Sequence, residues 1–170
     1  MPSSSKVELD RVQADRALFA FADVANRLDL DWFLVCGTCL GLYRDKKYAP
    51  GDDDIDVGVL VKPGQLRELW WELHKAGFKL GRWCENVDGT KNRHTYHKDG
   101  VAWPDEGGVL VDVFYKFTED ETNFLVNFGQ IEYSGRDFLV PYPVDMYLQL
   151  TYDEWWNPVQ MRAIGKEGIK

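Results

Sequence analysis

Asp52, Asp54 and Asp56 stand two residues apart in Pro50-Gly-Asp-Asp-Asp-Ile-Asp56. On an extended segment that spacing projects three carboxylates to one face, with Asp53 and Ile55 on the other. Such a cluster repels itself unless a hard divalent cation neutralises it, and all-oxygen ligands suit Mg²⁺ or Mn²⁺ shared with substrate phosphates. A fourth acid, Asp112, sits inside the apolar run Val109-Leu-Val-Asp-Val-Phe114. An isolated buried carboxylate is costly, so a metal or another cation is the expected partner.

Two plainer readings compete with a metal site. Acidic runs are most often solvated turns, but here the alternation of acid and apolar residue runs straight into Val57-Gly-Val-Leu-Val61. An EF-hand loop would also begin with Asp52, Asp54 and Asp56; it fails where Val57 replaces the required glycine and Pro63 the required glutamate.

Gly37-Thr38 forms a second chemical feature. A glycine turn that opens a helix presents backbone N–H groups and a hydroxyl to an anion, although an ordinary helix cap by Thr38 explains the dipeptide equally well. Arg44 offers a planar fork for a phosphate, or else a surface ion pair. Cys36-x-x-Cys39 leaves only Cys84 as a further thiol. Small buried thiols are therefore expected there rather than a zinc site. His94 and His97 are three residues apart, which on a strand directs them oppositely, so surface or packing roles are expected. Among the tryptophans only Trp103, beside Pro104 in a glycine-flanked loop, is kept as a substrate contact; the others suit a core.

These residues require elements to position them. Leu18, Phe21, Ala25 and Leu28 recur at helical spacing between Glu8 and Asp29, and Trp32 to Val35 reads as a strand ending at the glycine turn. Cys39 to Arg44 suits a helix and Asp52 to Leu60 a strand. Pro63 to Gly77, with Leu66, Leu69, Trp70 and Leu73, makes a further helix. Phe78 to Trp83, Arg93 to Lys98, Val109 to Tyr115 and Gly135 to Pro141 are strand candidates, and Val144 to Tyr152 a short helix.

At 170 residues and 45% hydrophobic content, one domain spanning 1–170 is expected. The net charge of -8 argues against a nucleic-acid partner, which needs a basic surface. No stretch approaches the roughly 20 apolar residues of a membrane span. An odd cysteine count and a polar start point to the cytoplasm.

Gly37-Thr-Cys-Leu-Gly-Leu-Tyr-Arg44 followed by Pro50-Gly-Asp-Asp-Asp-Ile-Asp56 resembles the LicD/fukutin family, whose pattern is GT-x-LG-x-x-R and then PWD-x-D-x-D. Val111-Asp-Val-Phe114 looks like that family's third-carboxylate strand, and Tyr133 to Trp155 like its closing segment. The departures are Gly51 in place of Trp, Asp45 where His is common and Asp153 where Gly is common. The resemblance implies an α/β nucleotidyltransferase-type fold, a mixed β-sheet flanked by helices. It implies metal ligation by Asp54 and Asp56 with help from Asp52, and donor phosphate held by Gly37 and Thr38. It further implies transfer of phosphocholine, ribitol phosphate or a similar group from a CDP-linked donor to a hydroxyl of a glycan or small-molecule acceptor. Asp112 would then be the general base. Nucleotidyl transfer from an NTP would use the same carboxylates, and a noncatalytic nucleotide- or glycan-binding domain is the remaining alternative.

Overall fold

The computed structural model describes residues 9–85, 91–97, 108–158 and 162–163. Helix α1 (Arg11–Arg27) begins where the Asp10 side chain accepts the Gln13 N–H, and it buries Ala14, Ala17, Leu18, Phe21 and Ala25 completely. It is followed by β1 (Asp31–Leu34), α2 (Cys36–Arg44), β2 (Asp54–Leu60), α3 (Gln65–Lys75), β3 (Lys79–Glu85), β4 (Lys91–His97) and β5 (Leu110–Phe114). The chain then forms a single-turn helix α4 (Glu119–Thr122), strands β6 (Phe128–Tyr133) and β7 (Arg136–Pro141), α5 (Val144–Thr151), and the short pair β8 (Tyr152–Asp153) and β9 (Arg162–Ala163).

Five strands make one mixed sheet in the order β1-β2-β5-β4-β3. Only the β2–β5 pair is parallel, and its register sets Asp56 directly beside Asp112. Helices α1 and α2 pack on β2, and α3 packs on α1 and β3, giving the α/β architecture expected. The β6–β7 hairpin lies against β1, where Trp32 meets Phe138 edge-on. Among the described residues no helix is long and apolar enough to cross a membrane.

Three expectations change. The helix after β1 starts at Cys36, so Gly37 and Thr38 lie in its first turn rather than in a loop before it. Strand β2 starts at Asp54, because Pro50 and Gly51, with Gly51 at φ 78°, form a turn that the Asp52 N–H closes on the Ala49 carbonyl at 3.1 Å, and the chain is extended into the sheet only after Asp53. Strand β6 was not anticipated at all. Its signal was Ser134-Gly135, both left-handed, which is the two-residue hairpin loop that favours positive φ. Trp103, Lys98 and Glu8 lie outside the described residues.

The segment between α2 and β2 is held tightly to both flanking layers. Lys47 N–H reaches back to the Gly41 carbonyl, and the Tyr48 hydroxyl donates to Asp15 on α1 at 2.9 Å. Asp15, on the polar side of the sequence pattern, thus anchors this loop and also accepts the Tyr133 hydroxyl of β6 at 2.8 Å. A Cβ on Gly41 would lie 2.5 Å from Ala49 N and 2.6 Å from Lys47 O, both backbone atoms that cannot rotate away. Gly41→Ala is therefore expected to destabilise the protein by about 1–3 kcal/mol through forced displacement of this loop. Urea unfolding measures it, and an unchanged midpoint would show that the loop has slack.

Candidate metal and phosphoryl-transfer site

Strand β2 carries Asp54 and Asp56, and β5 carries Asp112 beside Asp56. One carboxylate oxygen from each of the three lies within 4.8 Å of the others. Asp112 is completely buried and Asp56 is 6% exposed, while Asp54 is half-buried at the mouth. Two adjacent strands with matching pleat thus bring Asp112 to Asp54 and Asp56, from which more than fifty positions of chain separate it.

A second grouping joins Asp52, Asp53 and Asp54 within the same distance limit. Asp53 was expected on the opposite face, but it precedes β2, so strand alternation does not govern where it points. The Pro50-Gly51 turn is the signal that limits the alternation. Asp54 belongs to both groups and is the shared corner.

The β1–α2 junction clasps Asp56 with three hydrogen bonds. Val35 N–H donates to the Asp56 carbonyl at 3.2 Å, Gly37 N–H to Asp56 Oδ2 at 3.1 Å, and the Asp56 N–H to Thr38 Oγ1 at 2.9 Å. The glycine is also required by space, since a Cβ there would lie 2.5 Å from Asp52 Oδ2. The positive end of α2 is thereby aimed at a carboxylate of the cluster. Gly37 and Thr38 therefore both bond Asp56 directly, and Thr38 is completely buried. In sequence this dipeptide suited a phosphate cradle and a helix cap equally; here the Gly37 N–H is given to Asp56.

Of the two roles read for Arg44 in the sequence, phosphate fork or surface ion pair, the structure shows an ion pair, though a largely buried one. Its guanidinium grips Asp45 Oδ2 through Nε and Nη2, at 2.9 and 2.6 Å, and donates from Nη1 to the Trp155 carbonyl at 2.8 Å. With its side chain 8% exposed, it ties the end of α2 to the segment after α5. Cys36 and Cys39 are both thiols, and burial pushes each well above its ordinary pKa, which favours packing over metal binding. His94 and His97 lie on β4, their backbones opposite Val113 and Leu110 of β5. A cavity of about 960 Å³ lined by Trp70, Trp71, His74 and Phe78 lies on α3 and the start of β3. It follows the far end of β2 and does not include the carboxylates.

Burial, followed by the charges of Asp54, Asp52 and Asp112, raises the Asp56 carboxyl well above its ordinary 3.8, with the Gly37 N–H acting in the opposite sense. At an effective dielectric of 20, two carboxylates about 4.8 Å apart repel by roughly 3.5 kcal/mol. Three such pairs rival the whole stability of a domain, about 5–15 kcal/mol. The donor set therefore fits a hard divalent cation, which Asp54, Asp56 and Asp112 would hold with Asp52 adjoining.

The consequence for stability has a definite sign. With the folded pKa raised, the native state keeps a proton that the unfolded chain releases, so stability falls as pH climbs from near 3.8 through the raised value. Metal-free protein should melt higher at pH 5.5 than at pH 7.5, and Mn²⁺ at pH 7.5 should recover the difference, at roughly 2–4 °C per kcal/mol for this size. Asp56→Asn should flatten the pH dependence and abolish the Mn²⁺ response. A melting temperature indifferent to Mn²⁺ at pH 7.5 would remove the cation from this site.

Residues 29–150 match the family described as LicD/FKTN/FKRP, nucleotidyltransferase domain. Ribitol-5-phosphate transferase FKTN of Homo sapiens is 26% identical over 166 residues, covering 86% of this chain and 34% of the relative. The protein of that name from Macaca fascicularis matches with the same identity and coverage. The chain thus spans about a third of the length of these curated relatives. Among solved structures, a Cid1 poly(U) polymerase with MgGTP bound is 13% identical and covers 64% of this chain and 34% of that one. Its TM-score is 0.40, and at that score the likeness carries no argument.

Proposed function

From the premise that this chain belongs to the LicD/FKTN/FKRP nucleotidyltransferase-domain family, we propose that it is a transferase domain acting on a CDP-linked donor. It moves a phosphoryl-linked group of the phosphocholine or polyol phosphate kind to a hydroxyl of a glycan or small-molecule acceptor. The observation that carries this reading is the convergence of Asp54, Asp56 and Asp112 within ligand distance on adjacent parallel strands. The name of the relatives, ribitol-5-phosphate transferase, favours a polyol phosphate among the candidate groups.

Bound there, Mg²⁺ or Mn²⁺ supplies charge neutralisation at the phosphoryl oxygens and lowers the pKa of the attacking hydroxyl. The chain's own residues do the rest. Gly37 N–H and Thr38 Oγ1 fix Asp56 in one orientation, so little reorganisation accompanies the reaction. Asp54, half-buried and common to both acidic groups, is the carboxylate left accessible for the cation to share with donor phosphate. Asp112 is completely buried beside Asp56, so it takes the acceptor hydroxyl's proton, as the new O–P bond forms, only once bound substrate opens the corner that encloses it. The phosphoanhydride bond to CMP breaks in line, and CMP leaves with the bonding electron pair.

Incubation with CDP-ribitol or CDP-choline, Mn²⁺ and a glycan acceptor should release CMP. Asp54→Asn should lower that rate by roughly a hundredfold or more, several kcal/mol of transition-state stabilisation, with an unchanged circular dichroism spectrum. Near wild-type turnover by this variant would refute the assignment. Pyrophosphate release from CTP in place of CMP release would make the domain a nucleotidyltransferase instead.

A further inference from the structure

We infer that Tyr147 is a positioning residue for the carboxylate cluster: its buried hydroxyl holds the first peptide of α2 so that the next N–H, that of Gly37, meets Asp56.

The start of α2 is under strain and lacks a local cap. Cys36 is its first residue and sits at φ 46°, a left-handed conformation that a residue with a Cβ adopts at a cost. The preceding Val35 has no side chain able to cap a helix, and no side-chain cap bond is made there. The Cys36 N–H donates instead to Tyr147 Oη at 3.1 Å, a partner 111 residues away on α5. Tyr147 is 2% exposed, and its ring meets Phe124 edge-on, so the hydroxyl has little freedom to move.

The adjoining N–H groups show what this hydroxyl controls. Those of Val35 and Gly37, on either side, both donate to Asp56, to its carbonyl and its Oδ2. Consecutive N–H groups are thus used alternately, with Tyr147 supplying the acceptor that Asp56 does not. If the Cys36 peptide rotated out of its left-handed state to seek another acceptor, the Gly37 N–H would turn with it. The carboxylate would then lose its orienting donor. Helix α5 also holds α2 at its other end, where the Tyr43 hydroxyl donates to Asp145 Oδ1 at 2.8 Å. That contact provides a comparison of similar chemistry distant from the cluster.

The inference rests on the proposal that the cluster binds a divalent cation, but half of its test is independent of it. In Tyr147→Phe the ring remains and only the hydroxyl is lost. Mn²⁺ binding, followed by calorimetry, should weaken about tenfold, equivalent to about 1.4 kcal/mol, because binding must first restore the relaxed turn. Tyr43→Phe should change it less than twofold. By NMR, the Gly37 amide should exchange with deuterium about tenfold faster in Tyr147→Phe, while amides of β2 beyond Val57 keep their wild-type rates. Wild-type Mn²⁺ affinity together with an unchanged Gly37 exchange rate overturns the inference, as does an equal loss in Tyr43→Phe. A wild-type protein that binds no Mn²⁺ refutes the metal reading alone, and the Gly37 exchange rate then decides the role of Tyr147. If Tyr147→Phe does not fold, wild-type protein carries the test: the Cys36 and Gly37 amides should be protected and exchange in step, and rapid exchange at Cys36 would overturn the inference.

Discussion

Carboxylates that must share a dry corner of a sheet set the terms for everything around them. Asp56 and Asp112 are paired across parallel strands, with Asp52 and Asp54 close enough for each to raise the proton affinity of Asp56. Water cannot relieve this repulsion, because Asp112 is fully enclosed and Asp56 nearly so. Relief comes from oriented dipoles, from a proton kept on Asp56 and, on the proposed function, from a cation. The fold supplies the first through the N-terminus of α2, and the acids themselves form the receptacle for the last.

The parts of the molecule remote from the sheet can be understood through that requirement. A helix end aimed at a carboxylate is useful only if the helix cannot rock, and α2 is restrained along its length. Tyr147 meets its first residue, the close approach of residues 47–49 locks Gly41, and Arg44 binds the segment after α5 at its last turn. The loop that delivers Asp52 is anchored in turn by Tyr48 on Asp15 of α1. Much of the polar bonding described here therefore serves placement of the acids rather than contact with a substrate.

The chemistry and its scaffold were legible to different depths. The core positions of α3, Leu69 and Leu73, follow from local periodicity, and so does the alternation that places Asp54 and Asp56 together. Asp112 was legible because a charge inside an apolar strand is costly enough to demand a reason. Asp53 was misread because period-two reasoning was carried back across a glycine turn. Gly37 and Arg44 each left two readings open for another reason: their partners, Asp56 and the Trp155 carbonyl, lie 19 and 111 residues away, and donor groups look the same in sequence whatever accepts them. Tyr147 carries no local sign at all, since a tyrosine on the buried face of a helix is ordinary until its hydroxyl is traced to a strained peptide.

The balance of charge also constrains the order of events at such a site. The chain carries a net charge of -8, and the proposed CDP-linked donor would bring a diphosphate to a cluster of four or five carboxylates. With the arginine nearest in sequence, Arg44, engaged by Asp45 and two backbone carbonyls, attraction for the donor must come chiefly from the cation. A bare diphosphate would meet repulsion that grows as ionic strength falls, whereas a metal-bound one would be drawn in. On the proposed function the acidity of the domain would select the metal complex over the free nucleotide, and the carboxylates would act as a gate on the state of the donor as well as a seat for the ion.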